Sequence, residues 1–216
     1  MVAQRRPYHR EAEDKRRQAL IDAALALVSE GGAATATVRA IAERAGVTPG
    51  LIRHYFSGKD QLIATAYRHL MTDMIDGSTS VLDYAPADPL ARLAAFVAAS
   101  LRAPVVDRDA VTRWAFFLQE TRRSAEMLDI HRQTYLGFRD NLQSLIAALP
   151  QQRTEAELRQ LAIACNAVID GLWLEGGTLP DAFAKDELVH IGIRSISALL
   201  GCNLSPHLIL LERPAP

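Results

Sequence analysis

Apolar residues recur at three- and four-residue spacing along almost the whole chain, and no useful length alternates apolar with polar as a half-buried strand would. The pattern predicts an all-α protein of about nine helices. The first runs from about Glu11 to Glu30, with Leu20, Ile21, Ala24, Leu25, Leu27 and Val28 as its inward stripe and Gly31 and Gly32 as its stop. Thr37 is placed to cap a second helix, Val38 to Ala45, with Ile41, Ala42 and Ala45 facing inward. Gly46 ends it and Val47 is an apolar turn residue. Thr48 then caps a third helix that opens on Pro49, where proline's missing N–H costs nothing. That third helix has only six or seven residues. Leu51, Ile52, Tyr55 and Phe56 share one of its faces, and Pro49, Gly50, Arg53 and His54 share the other.

"SGKD", Ser57 to Asp60, resembles a capping box with Asp in place of Glu, and predicts a long fourth helix to about Asp76. "DGSTS" and "DYAPADP" have the composition of a loop, closed by Asp88 as cap and Pro89 as first helical residue. Further helices are expected at about 89–103, 108–123, 125–149, 155–175 and 182–200. Breaks fall at Pro104, Pro150 and Pro180, a stop at Gly176-Gly177 and an end at Gly201. The tail "SPHLILLERPAP" is apolar and flanked by prolines, and the pattern assigns it no element.

Composition narrows the class. With 49% apolar and 23% charged residues over 216 positions, the chain is of globular type. It has no run of 18 apolar residues, and "MVAQRRPYHREAEDKRR" lacks the apolar stretch of a secretory signal, so no membrane partner and a cytoplasmic location are expected. Cys165 and Cys202 stand in apolar surroundings without CxxC spacing and read as reduced, structural thiols. His131 and His190 have no partner at metal spacing, so no metal or cofactor is expected. The net charge of −1 hides an asymmetry: residues 1–60 carry 10 Lys/Arg against 7 Asp/Glu, the remainder 14 against 18.

The short helix carries the sharpest chemistry. Alone it is too short to be stable, so its apolar face must be held by neighbouring helices, leaving the other face for use. Pro49 and Gly50 bring little or no side chain, which lets another molecule approach the backbone. Arg53 beside them offers a planar donor fork that can bond guanine O6 and N7 together. His54 adds a ring that donates or accepts. Around this surface Thr37, Arg39 and Lys59, with the arm Arg5, Arg6, Arg10, Lys15, Arg16 and Arg17, are suited to phosphate contacts. The competing interpretation is an ordinary αα-corner with solvated side chains.

"TVRAIAERAGVTPGLIRHYFSGKDQLI", Thr37 to Ile63, closely resembles the signature of TetR-family transcriptional regulators: a Thr-capped helix, an "AGV" turn, a short helix ending in "YF", then a Lys and a Leu at fixed spacing. The resemblance implies a helix-turn-helix DNA-binding domain over 1–60 and a helical regulatory and dimerisation domain over 61–216. It places recognition at Thr48, Pro49, Gly50, Arg53 and His54, and phosphate contacts at Thr37, Tyr55 and Lys59. Many members carry tyrosine where this chain has Arg53, so a phosphate contact in the family becomes a candidate base contact here. "NAVIDGLWLEGG", Asn166 to Gly177, further resembles the BetI-like, choline-responsive branch.

A quaternary ammonium ligand is held on aromatic faces. "RWAFFLQE" offers Trp114, Phe116 and Phe117, and later helices add Tyr135, Phe138 and Trp173, with Glu120 or Asp170 as counter-charge. Each of these aromatics has core packing as its alternative role, and Asp170 a structural hydrogen bond. The partners expected are a double-stranded operator, a small-molecule effector that is choline, a related cation or a non-cationic metabolite, and a second copy paired through the last two long helices. Small residues on those helices, Ala162, Ala164, Ala167, Gly171, Gly192, Ser195 and Ala198, permit close approach. No nucleophile–base pair or phosphate-cradling loop is present at motif spacing, so an enzyme is not expected. A helical protein-interaction module is the remaining alternative.

Overall fold

The structure is a computed structural model and describes residues 5–211, without the side chains of 5–12, Ala33 and 209–211. Among the described residues it is entirely helical: α1 Arg5–Gly31, α2 Val38–Arg44, α3 Gly50–Phe56, α4 Lys59–Thr79, α5 Pro89–Ser100, α6 Arg108–Glu120, α7 Ala125–Ala147, α8 Glu155–Thr178, α9 Glu187–Leu200 and α10 Ser205–Leu211, with three short 3-10 turns between them. None is long and apolar enough to cross a membrane.

Local chemistry explains most of the boundaries. Thr37, Asp88 and Thr154 each accept the N–H three residues on, and Glu157 returns the bond to Thr154 N–H, completing a capping box at α8. After α2, Gly46 adopts φ +65°, the Val47 N–H reaches the Ala42 carbonyl and the Gly46 N–H reaches that of Glu43. Two orphan carbonyls are thereby satisfied in a turn that only a left-handed residue can make.

Several expectations are corrected. "SGKD" forms no capping box: Ser57 is left-handed at φ 53°, ends α3, and donates to the Gln61 side chain instead. Helix α4 does not stop at Asp76, because Ser78 and Thr79 return their hydroxyls to the Met74 and Ile75 carbonyls and stay helical, while Gly77 admits Val105. Gly176 and Gly177 are not a stop but sit buried within α8, where a Cβ would meet Leu188 at 2.5 Å and Val111 at 2.2 Å respectively. Helix α9 starts at Glu187 rather than 182, after a 3-10 turn at Pro180–Ala182. The apolar tail supplies a tenth helix, with Leu204 and Leu208 buried and α10 packed on α5.

The chain divides into two compact units. Among the described residues, one holds those up to Leu70 together with Thr112–His131; the other holds Met71–Val111 and those from Arg132 onward. In the first, Leu20, Ile21, Ala24 and Val28 of α1 are buried with Ile41 of α2, Ile52 and Phe56 of α3, and Leu62 and Tyr67 of α4. Tyr67 stacks on Phe117 at 4.6 Å and shares a 2.7 Å hydrogen bond with the Nδ1 of His131. In the second, α5 is the centre. Six consecutive residues, Leu93 to Ala98, are buried as it packs against α8, α9 and α10. Its Phe96 meets Phe138 of α7 at 5.0 Å. Burying a Leu, Val or Phe side chain contributes about 1.5–3 kcal/mol, so this run anchors the unit.

Candidate nucleic-acid interface

Helix α3 is held by its inner face. Ile52 and Phe56 are each 1% exposed, Leu51 and Tyr55 are half-buried, and the Arg17 guanidinium lies 5.0 Å from the centre of the Phe56 ring. Its entry is closed by the backbone: the Leu51 N–H donates to the Thr48 carbonyl and the Ile52 N–H to that of Pro49. Pro49 has helical dihedrals, φ −54° and ψ −29°, but the cap position falls on Pro49 itself and no side chain caps this end, so Thr48 does not cap as expected.

The opposite face is open. Thr48, Pro49, Gly50, Arg53 and His54 are all exposed, and so are Thr37 and Arg39 at the start of α2. Lys59 is half-exposed as the first residue of α4, and Tyr55 meets His54 edge-on at 4.9 Å. A Cβ added to Gly50 would meet nothing within 4 Å. Packing inside the chain therefore gives no reason for glycine there, although glycine costs a helix about 0.5–1 kcal/mol relative to alanine. The side chains of Arg5, Arg6 and Arg10 lie outside the described residues. Lys15 and Arg16 are exposed, while Arg17 is occupied with Phe56. Arg44 adds a two-pronged ion pair to Glu30, one bond at 2.8 Å, tying the end of α2 to the end of α1.

Residues Gly32 to Phe56 thus form two short helices joined by a glycine turn, the second with a buried inner and a bare outer face. Family models match both parts of the chain: "Bacterial regulatory proteins, tetR family" over residues 20–66, and "BetI-type transcriptional repressor, C-terminal" over residues 89–201. The chain belongs to the BetI-type branch of the TetR family. HTH-type transcriptional regulator BetI of Brucella suis biovar 1 is 34% identical over 180 residues, 82% of this chain and 89% of its own length. The protein of that name in Paraburkholderia phymatum is 31% identical over 185 residues, 86% and 93% of the two chains. Among solved structures, a proposed transcriptional regulator from Pseudomonas aeruginosa PAO1 superposes with a TM-score of 0.81 at 29% identity, covering 96% of this chain and 99% of its own. A regulator from Saccharomonospora viridis, solved in complex with choline, shares the fold at TM-score 0.67 and 19% identity over 87% and 96%. As a TetR-family protein the chain is a DNA-binding transcriptional regulator and not an enzyme.

The residues expected to hold an effector fall in both units of this regulator. In the first, Phe117 is fully buried, stacked on Tyr67 and edge-on to Phe116, which is core packing. Trp114 is half-buried, and Glu120 pairs with Arg123 at 3.0 Å. In the second, the Trp173 indole N–H donates to the Val105 carbonyl at 2.8 Å. Tyr135 and Asp170 do come together: the Tyr135 hydroxyl donates to Asp170 Oδ2 at 2.7 Å. The sequence reading missed their third member. Asn166 Nδ2 donates to Asp170 Oδ2 at 2.8 Å and to the Tyr135 hydroxyl oxygen at 2.7 Å. Its signal was available, since Asn166 and Asp170 are four apart in a helix and both interrupt an apolar run. Burial raises the Asp170 carboxyl above the ordinary range, against the pull of its two donors, and burial with the neighbouring carboxylate pushes Tyr135 up to about 12.

The small residues of α8 and α9 divide as well. Ala162 and Gly192 are buried within the subunit, Gly192 against Leu101 and Leu172, so these two do not serve a partner. Ala164 and Ser195 are half-buried. Ala167, Gly171 and Ala198 are exposed, and Ile163 and Leu174 continue the open stripe of α8 at 38% and 45% exposure.

Proposed function

We propose that the chain is a transcriptional repressor that binds a palindromic operator as a homodimer and is controlled by a small molecule held in its body. One observation carries the reading. The outer face of α3 combines a helical glycine that the fold does not need with an exposed guanidinium and imidazole, and a bare backbone suits close approach to base edges. Arg53 reads guanine, His54 and the backbone at Pro49 and Gly50 lie against neighbouring bases, and Thr48 stands at the edge of this surface. Thr37, Arg39, Tyr55 and Lys59 hold phosphates around it. A single helix of this length reads few base pairs, so two copies are needed, with recognition helices about 34–36 Å apart. The stripe Ile163, Ala167, Gly171 and Leu174 on α8 supports pairing through the last long helices, for a Cβ at Gly171 also meets nothing within its own chain.

Effector binding shifts the population only if one conformation holds the ligand better than the other. The choline-responsive branch makes an organic cation the first class to test, with a non-cationic metabolite as the alternative. The experiment is electrophoretic mobility shift against the fragment upstream of its own gene. Binding that weakens steeply as salt rises from 50 to 200 mM supports the reading. No salt-sensitive binding to any native promoter fragment defeats it.

A further inference from the structure

The second unit has a cleft of about 1190 Å³ where the segment after α5, the start of α6 and the start of α9 come together. Small-molecule sites typically take about 300–1,000 Å³, so the space is ample. Leu101, Val106, Phe183 and Leu188 give it an apolar wall, with Leu101 and Leu188 buried and Phe183 half-buried. Three carboxylates also line the cleft, and each is already engaged within the chain. Asp186 Oδ1 accepts the Arg102 Nε–H at 2.6 Å, Asp107 Oδ2 accepts the Ala110 N–H at 3.0 Å, and Glu187 Oε2 accepts the Ala184 N–H at 2.8 Å.

The donors are left over. Lys185 and His190 are exposed on this cleft, and their side chains make no hydrogen bond or ion pair among the described residues. Arg108, the first residue of α6, adds a guanidinium to the lining. A second groove of about 590 Å³ shares Lys185 and His190 and runs on to Arg194, four residues along α9, which also makes no such bond among the described residues. Pairing within the chain thus occupies the acids and leaves a surplus of donors beside apolar surface. That combination is complementary to an anion with an apolar body, since a carboxylate accepts strong bonds from several charged donors at once.

We infer that this cleft is a binding site for an organic anion, a small carboxylate whose charge meets Lys185 and His190 and whose body lies on Phe183 and Leu188. The inference goes beyond the regulator reading, because it gives a non-cationic small molecule a place in the body, and it stands or falls without DNA binding.

The test is calorimetric titration of the full-length protein at neutral pH and fixed ionic strength with hexanoate against hexanamide, and benzoate against benzamide. In at least one pair the carboxylate should bind about ten-fold or more tighter than its amide, the scale of a hydrogen bond to a charged group. Lys185→Gln and His190→Gln should each reduce that ratio, and the double variant should bring it near one. Both side chains are exposed, so melting temperatures should not change. Phe183→Ala should weaken acid and amide alike and keep the ratio. Arg159→Gln, an exposed cation of α8 outside the cleft, should leave both unchanged. A wild-type protein without carboxylate preference in either pair overturns the inference. So does a preference that survives the double variant or falls equally with Arg159→Gln, and so does acetate or inorganic phosphate binding as tightly as the larger carboxylates, which would mean general charge attraction rather than a site.

Discussion

Gly50 on α3 and Gly177 near the end of α8 are both glycines inside helices, and they are there for opposite reasons. At Gly177 a single added carbon would lie 2.2 Å from Val111 and 3.3 Å from the Asp107 carbonyl, so the second unit is built around the missing side chain. At Gly50 the same carbon would stand in open space. A helical glycine costs stability wherever it is, and the compensation at Gly177 is visible within the chain. At Gly50 none is visible, which directs attention to another molecule. Gly171 belongs with Gly50 in this respect, and Gly176 and Gly192 with Gly177. The N-terminal unit keeps open surface around Gly50 on α3, whereas the second unit closes Gly176, Gly177 and Gly192 inside and leaves Gly171 open on the α8 stripe.

Substitutions can break this contrast. Gly177→Ala should be the most damaging: overpacking a filled site costs about 1–3 kcal/mol and should lower the melting temperature by roughly 2–10 °C in calorimetry. Gly171→Leu should leave the melting of the subunit's own core almost untouched but shift the protein toward monomer in sedimentation at micromolar concentration, since the bulk would stand on the α8 stripe proposed above as the pairing face. Unchanged dimerisation would remove that face from the account. On α3, Arg53→Ala should lose about 1–3 kcal/mol of discrimination at one base position, measured with single-base operator variants. Lys59→Ala should weaken all sequences alike and flatten the salt slope by about one unit. Identical behaviour of the two variants would erase the distinction between reading and positioning.

The smallest effects are those of pH, and the two units should respond with opposite sign. Burial holds the His131 imidazole below its ordinary range, so the folded state binds fewer protons than the unfolded state just below pH 6.5, and stability is lost as pH falls through that window. The Asp170 carboxyl is raised by burial, so the folded state binds more protons above the ordinary value near 3.8, and stability declines as pH rises from there through the raised value. Melting curves of His131→Asn and Asp170→Asn against wild type, taken between pH 4 and 8, should each lose one of these slopes.

What the sequence made legible was whatever a few neighbouring residues decide. Thr37 and Asp88 cap by reaching their own helix, Gly46 turns the chain at its own φ, and the alternation of Ile52 and Phe56 against Arg53 and His54 follows from helical period alone. What was misread depended on distant partners. Gly176-Gly177 has the composition of a helix stop, and only Val111 and Leu188, far away in the chain, reveal close packing instead. Gly77-Ser78-Thr79 looked like a loop because glycine and hydroxyls favour turns, yet the two hydroxyls found helical carbonyls and Gly77 found Val105. The tail became a helix because Leu204 and Leu208 had an apolar surface on the second unit to cover. In the candidate effector residues, Asp170 was visible as an acid in an apolar helix. Its partner Tyr135 lies 35 residues earlier, and no local pattern joins them.

The central claim is that α3 keeps its outer face bare for DNA, and Gly50→Ala tests it most directly. Alanine fits the open space and favours the helix, so the melting temperature should stay the same or rise, by the equivalent of about 0.5–1 kcal/mol. Promoter affinity, measured on the same preparation, should nevertheless fall. A variant that is as stable as the wild type and binds the promoter equally well would contradict the account.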